Sequence, residues 1–172
     1  GKTTLLSCIA GITDFVGEIS GVKCSYVFQT PRLVPNLTVY NNLKLVCSDD
    51  NNIKEILDGL FIRDKRNSYP ISLSGGQAQR VSLARAMLAD SDIILMDEPF
   101  SSLDMKLKRD ISLLYKDWQK NSEKTTLLVT HDVDEAIFFA DRIIVLKDGK
   151  IAFDASKEKI LREGIVSILL DT

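Results

Sequence analysis

The chain has 172 residues, 45% hydrophobic and 27% charged, with a formal net charge of −2. That is enough for one domain with a sizeable core, in the composition of an ordinary α/β protein. The slightly acidic balance speaks against a nucleic-acid binder working through a basic face. No apolar run approaches the roughly 20 residues of a membrane span, and no signal peptide is legible.

In chain order, Thr3 to Ala10 reads as a helix stopped by Gly11. Val22 to Phe28 reads as a strand ending at Gln29, and Thr30 to Pro35, with two prolines, as loop. From Thr38 to about Phe61 the pattern is helical but polar, in two short helices. Pro70 breaks the chain before Leu73. Gly76 to Ala89 is expected to be a helix with Val81, Ala84 and Leu88 on one face. Ile93 to Met96 is an apolar run bounded by acids, as for a parallel strand buried on both faces.

Met105 to Lys120 reads as a helix, Thr125 to Thr130 as a second buried strand, and Asp132 as the cap of a helix running to about Ala140. Ile143 to Leu146 and Ile151 to Phe153 form a hairpin with Asp148-Gly149 at the bend. The alternation implies an α/β fold: a sheet with helices on both faces. Residues 1–35 and 89–172 would form the α/β core and 36–88 a small helical insert. Cys8, Cys24 and Cys47 form no CxxC pair and read as reduced packing residues. The same bland reading suits the charged run Lys106 to Asp110 (a solvated helix face), Trp118 (packing) and Lys157 to Glu163 (a surface helix).

Three clusters can carry chemistry. The opening Gly1-Lys2-Thr3-Thr4, followed at once by a helix, fits the last part of a P-loop, whose backbone N–H groups hold phosphate oxygens. Lys2 would reach the β- and γ-phosphates, and the Thr3 hydroxyl would bind Mg²⁺. Alone, these residues equally fit a helix that happens to start this way. The strand Ile93 to Met96 delivers Asp97 and Glu98 to the sheet edge where α/β folds bind ligands. Asp97 can hold Mg²⁺, usually through water, and Glu98 can polarise a water that attacks a γ-phosphate. Taken alone, two acids there also fit a solvated strand end. Ser74-Gly75-Gly76-Gln77 at a helix start makes a second anion site. One nucleotide does not need two such sites from one chain, so each chain would lend the second to a partner. His131, the single histidine, follows a strand as Glu98 does and could hydrogen-bond the γ-phosphate.

With these residues in view, the chain resembles the ATP-binding subunits of ABC transporters along essentially its whole length. The matching elements are Gln29 at a strand end, LSGGQ at 73–77, ILMDEP at 94–99, SSLD at 101–104 and His131. The stretch from Tyr69 to Ala86 is similar nearly residue for residue, and LSGGQ between a P-loop and a DE-ending strand is highly specific. The resemblance implies ATP and Mg²⁺ as cofactors. It makes Gln29 the Q-loop glutamine that reaches Mg²⁺ and the attacking water, Asp97 the Walker B aspartate and Glu98 the catalytic glutamate. Asp104 would be the D-loop residue at the dimer interface. Ser74, Gly75, Gly76 and Gln77 would close over a partner's ATP. It implies a head-to-tail dimer that drives membrane permease subunits, peripheral on the cytoplasmic face of the membrane, with a substrate-binding protein as a possible further partner and no nucleic acid.

The start at Gly1 rather than Met leads one to expect that the first P-loop residues, the strand before them and the adenine-stacking aromatic lie upstream. From the stop soon after the hairpin one would expect no added regulatory domain. The stretch from Phe28 to Asn42 resembles the bacterial importers of the nitrate, sulfonate, taurine and bicarbonate group. Chromosome-maintenance relatives insert a long coiled coil between P-loop and signature, and no sustained heptads occur here. Ribosome-associated relatives carry two cassettes, and one is visible. A non-hydrolysing regulatory module would not need both Glu98 and His131.

Overall fold

The computed structural model describes residues 1–19 and 23–163. Its residues cluster into two units, Gly17–Leu127 and Gly1–Val16 with Leu128–Thr172.

In the first unit, β1 (Cys24–Val27) pairs in parallel with β2 (Ile93–Asp97), Cys24 opposite Ile93 and Val27 opposite Met96. The strand expected from Val22 is thus shorter, and Val22 itself lies outside the described residues. From Ile94 to Asp97 β2 is buried, as a continuous apolar run in a parallel pair should be. The order is β1-β2-β3, with β3 (Thr125–Val129) on the other side of β2. Thr125 N–H donates to the Asp92 carbonyl at 3.0 Å and starts that pairing. The expectation of a second fully buried strand is corrected here. Thr125 is exposed and the rest of β3 half-buried, because β3, like the half-buried β1, is an outer strand of the three.

No strand interrupts the described residues between β1 and β2. Instead come α2 (Val39–Lys44), α3 (Asp50–Gly59), two single 3₁₀ turns at Arg63–Lys65 and Pro70–Ser72, and α4 (Gly75–Leu88). Each start is written in the sequence. Thr38 caps α2 by accepting from Asn41 N–H, and Asp49 caps α3 by accepting from Asn51 and Asn52 N–H. Ile53 and Leu57, four apart on α3, are both buried. Such a buried side chain contributes about 1.5–3 kcal/mol. Helix α4 differs from its expected single apolar face: Gln79, Arg80 and Ser82 are buried along with Val81, Leu83, Ala84 and Ala86. It packs on α2, α3 and β1, so polar side chains are enclosed as well as apolar ones.

Helix α5 (Met105–Lys120) covers the range its periodicity predicts, burying Ile111, Ser112 and Tyr115. Trp118 packs obliquely on Tyr115, with ring centroids 5.4 Å apart. The cysteines are half-buried rather than enclosed, and burial pushes the Cys24 thiol up.

In the second unit, α1 (Lys2–Ile9) opens the chain. Helix α6 (Val133–Phe139) is capped by Asp132, which accepts from Glu135 N–H. The hairpin joins β4 (Arg142–Lys147) to β5 (Lys150–Ser156), longer on both sides than its apolar pattern suggests. Asp148 and Gly149 both take positive φ, 50° and 74°, as a two-residue hairpin turn requires. Arg142 adds a paired contact to both Asp154 oxygens, at 2.7 and 2.6 Å. Helix α7 (Lys157–Glu163) is more than a surface helix. Its Ile160 is fully buried with Ile143 and Ala155, in a cluster that Ile137, Val145 and Phe153 complete.

Candidate nucleotide site

The offset of 69 positions that pairs Val27 with Met96 also separates Gln29 from Glu98, and the Gln29 Nε2–H donates to Glu98 Oε2 at 3.3 Å. Two of the expected catalytic residues are therefore brought together. Asp97 is 3% exposed at the end of β2. Glu98 is half-buried and leaves the strand with φ +47°, a conformation that costs a non-glycine residue about 1–3 kcal/mol. The turn that follows holds it there: the Glu98 carbonyl accepts from Ser101 N–H at 3.3 Å and from the Ser101 hydroxyl at 2.9 Å.

The segment after Gln29 is fastened by side chains that the sequence reading did not single out. Asn42, fully buried on α2, accepts from Val34 N–H at 2.8 Å. Its Nδ2 donates to the carbonyls of Val34, Leu37 and Thr38 at 3.0–3.1 Å. A single carboxamide thus serves the proline-bounded loop as a strand partner would. From α4, Gln79 donates to the Phe28 carbonyl at 3.1 Å and Arg85 to the Arg32 carbonyl at 2.6 Å. Arg32 lies over the Phe28 ring, 4.1 Å from its centroid.

At the start of α4, Ser74 and Gln77 form a reciprocal cap. Ser74 Oγ accepts from Gln77 N–H at 3.3 Å, and Gln77 Oε1 accepts from Ser74 N–H at 2.9 Å. Because the Ser74 hydroxyl only accepts in this cap, its proton is left to donate elsewhere. The two glycines differ. A Cβ on Gly76 would stand 3.1 Å from the Ser102 carbonyl, whereas one on Gly75 would meet nothing within 4 Å. Gly76 is closely packed inside the chain; among the described residues nothing packs against Gly75. Arg80 supports this helix from below. Its guanidinium donates to the carbonyls of Leu60 at 3.0 Å, Phe61 at 2.7 Å and Gly76 at 3.3 Å. Burial pulls the Arg80 pKa down, while the charges of Asp64 and Asp104 raise it. Asp104 itself caps α5 by accepting from Leu107 N–H at 3.0 Å.

In the other unit, Gly1 precedes the first turn of α1, and no side chain caps that turn. It carries no acidic residue, and Lys2, Thr3 and Thr4 are exposed, so its N–H groups and dipole suit an anion. His131 is exposed between β3 and α6.

Of the polar residues missed in the sequence (Asn42, Gln79, Arg80 and Arg85), Arg80 and Arg85 had one available signal: helical spacing sets them beside Ala84 and Val81 on the face expected in the core, and a polar residue there must find partners.

Residues 1–101 match the family model described as ABC transporter, and the chain belongs to that family. An aliphatic sulfonates import ATP-binding protein of Paracoccus denitrificans is 45% identical over 161 residues, covering 90% of this chain and 66% of its own. The protein of that name from Delftia acidovorans is 42% identical, with coverages of 90% and 67%. A sulfate/thiosulfate import ATP-binding protein of Anthoceros angustus is 37% identical over 186 residues, covering 96% of this chain and 49% of its own. The chain thus spans about two thirds or less of the length of these curated relatives. Among solved structures, a post-hydrolysis dimer of the ATP-binding cassette MJ0796 bound to ADP and Pi is similar. Its TM-score is 0.80 at 30% identity, with coverage of 91% of this chain and 81% of that one. An RNase-L inhibitor gives a TM-score of 0.81 at 29% identity, covering 98% of this chain and 35% of that one.

Proposed function

We propose that this chain is part of an ATP-hydrolysing subunit that powers solute import through head-to-tail dimerisation on two ATP molecules. The observation that carries the reading is the Gln29–Glu98 pair at the end of a parallel strand pair, one residue beyond the buried Asp97. Glu98 acts as the general base toward the attacking water, and Gln29, bonded to its carboxylate, orients both. His131 donates to the γ-phosphate. Gly1, Lys2, Thr3 and Thr4 receive the phosphates at the start of α1, with Lys2 as the charge. Ser74, Gly75, Gly76 and Gln77 face the ATP of a second copy. The unused Ser74 hydroxyl proton and the open space beside Gly75 support that assignment. Asp104 joins them at the dimer contact.

Mg²⁺ fits the residues present. Asp97 offers one buried hard-oxygen carboxylate. That suits an ion which takes one or two carboxylates and completes its shell with other oxygens, water and phosphate among them. Thr3, Gln29 and Asp97 would hold it, and when bound it neutralises the charge of the phosphates.

Residues 36–88 serve as the helical insert that carries the signature, and 1–35 with 89–172 as the core. The subunit works at the cytoplasmic face of the membrane against permease subunits, and no described helix is long and apolar enough to cross a membrane itself. Import as the direction rests on relatives named import ATP-binding proteins; the likeness to the RNase-L inhibitor is weaker in sequence. ATP turnover with Mg²⁺ in the full-length protein tests the reading. Turnover that rises more steeply than protein concentration, as dimerisation requires, is the expected outcome. Nucleotide binding with neither turnover nor dimers, even beside permease subunits, would turn the reading toward a regulatory module.

A further inference from the structure

Helix α4 grips the segment that carries Gln29 at two points. Gln79 Nε2 donates to the Phe28 carbonyl at 3.1 Å, and Arg85 Nη2 to the Arg32 carbonyl at 2.6 Å. The two acceptors lie on either side of Gln29-Thr30-Pro31. The donors sit on one rigid helix, less than two turns apart. A short segment held at both ends has little freedom in its middle.

The chemistry of Gln79 says why a carboxamide stands here. Gln79 is 2% exposed, and its buried Oε1 has no hydrogen-bond partner. An orphaned acceptor in the interior opposes folding, so packing alone would favour an apolar side chain of similar length. What such a side chain cannot supply is the N–H to Phe28. Arg85 repeats the pattern. Burial pulls its pKa down, and its guanidinium reaches a neutral carbonyl.

We propose that Gln79 and Arg85 are positioning residues that clamp residues 28–32 and hold Gln29 within reach of Glu98. The helix that presents the signature to a second copy thereby also sets the pair that activates water. This rests on the ATPase reading given above.

The experiment uses the full-length protein with Gln79→Met, Arg85→Met and Arg85→Lys, and Gln119→Met on α5 as control. The orphaned acceptor disappears in Gln79→Met, so its Tm should match or exceed the wild-type value. Its kcat for ATP should fall about five- to tenfold, the worth of one ordinary hydrogen bond, with KM for ATP within about twofold. Arg85→Met should lose kcat similarly, and Arg85→Lys, which keeps a donor, should recover part of it. Independently of turnover, the side-chain amide signal of Gln29, assigned by its loss in Gln29→Glu, should shift in Gln79→Met and stay in place in Gln119→Met. An unmoved Gln29 signal with wild-type kcat overturns the clamp. A fall in kcat that merely follows a fall in Tm also overturns it, since any damaged core would do the same. If the wild type shows no turnover, the ATPase reading fails, and the Gln29 signal alone decides whether α4 positions this segment.

Discussion

Gln29 and Glu98 are joined by a hydrogen bond of 3.3 Å across 69 positions of sequence, the same offset that pairs Val27 with Met96 in the parallel strands. The two side chains thus stand two positions beyond the last paired residues of the strands, at the offset the strands share, and close enough to touch. Slipping that register by one residue would turn every β2 side chain to the opposite face and separate this pair together.

Glu98→Gln keeps the length of the side chain and an oxygen that can accept from Gln29, so the pair and the fold should persist. Nucleotide binding is expected to survive. Hydrolysis should fall by about 10²- to 10⁴-fold, the usual loss on removing a general base. Steady-state turnover beside equilibrium nucleotide binding checks this, and turnover equal to wild type would remove Glu98 from the mechanism.

The two signature glycines should respond in opposite ways. Gly75→Ala adds a methyl to open space at the first helical position and narrows the freedom of the unfolded chain, which favours the fold by about 0.4–1 kcal/mol. The monomer should melt no lower than wild type, while ATP-driven dimerisation, followed by light scattering, weakens. Gly76→Ala drives a methyl toward the Ser102 carbonyl and should lower the melting temperature of the monomer itself. Equal effects of the two on monomer stability would sink the distinction. Ser74→Arg, which replaces a small phosphate donor by a bulky cation, should abolish the ATP-driven dimer; a mutant that still dimerises on ATP would contradict a shared site.

Much of this was legible in the sequence because it is local. Asp132 caps its helix as expected, and Asp49, Ser74 and Asp104, which the sequence reading did not name as caps, each cap a helix that it did expect. Asp148-Gly149 bends the hairpin as that dipeptide should. What escaped depends on distant chain segments. Nothing in the neighbourhood of Asn42 announces that its carboxamide will hold four backbone groups of residues 34–38, nor does helical spacing show that Gln79 will reach Phe28, 51 positions away. The half-buried state of β3 and the burial of Ile160 follow from which neighbours the fold supplies, and apolar pattern alone ranks both wrongly.

Arg80 should matter more to stability than its place beside the signature suggests. It is 9% exposed and supplies donors to three carbonyls, two of them just past the C-terminus of α3, where a cation also meets the negative end of the helix dipole. Arg80→Met is expected to cost about 3 kcal/mol, since buried carbonyls lose charged donors. Arg80→Lys should recover only part, because one ammonium cannot reproduce the planar fork. Urea midpoints give the cost, and faster amide exchange in the last turn of α3 should accompany it. A loss below about 1 kcal/mol in Arg80→Met would show that water replaces the guanidinium and that the bridge is dispensable.

Tyr115 sets an alkaline limit on folding. It is 1% exposed, its hydroxyl is 2.7 Å from that of Thr126, and burial pushes its pKa from 10.0 up to about 12. Between those values the unfolded chain has released a proton that the folded chain still holds. Stability therefore falls as pH rises through that interval, by about 1.4 kcal/mol per unit from this group, and levels off above it. Below pH 10 the group is protonated in both states and adds no pH dependence. Tyr115→Phe removes the component but leaves the Thr126 hydroxyl without this partner, at a cost of about 1 kcal/mol. The variant should be the less stable protein at pH 8 and should close the gap by pH 11, read from urea midpoints at the two values. Parallel losses in both proteins would mean that the phenol ionises as freely when folded as when unfolded, against the burial observed.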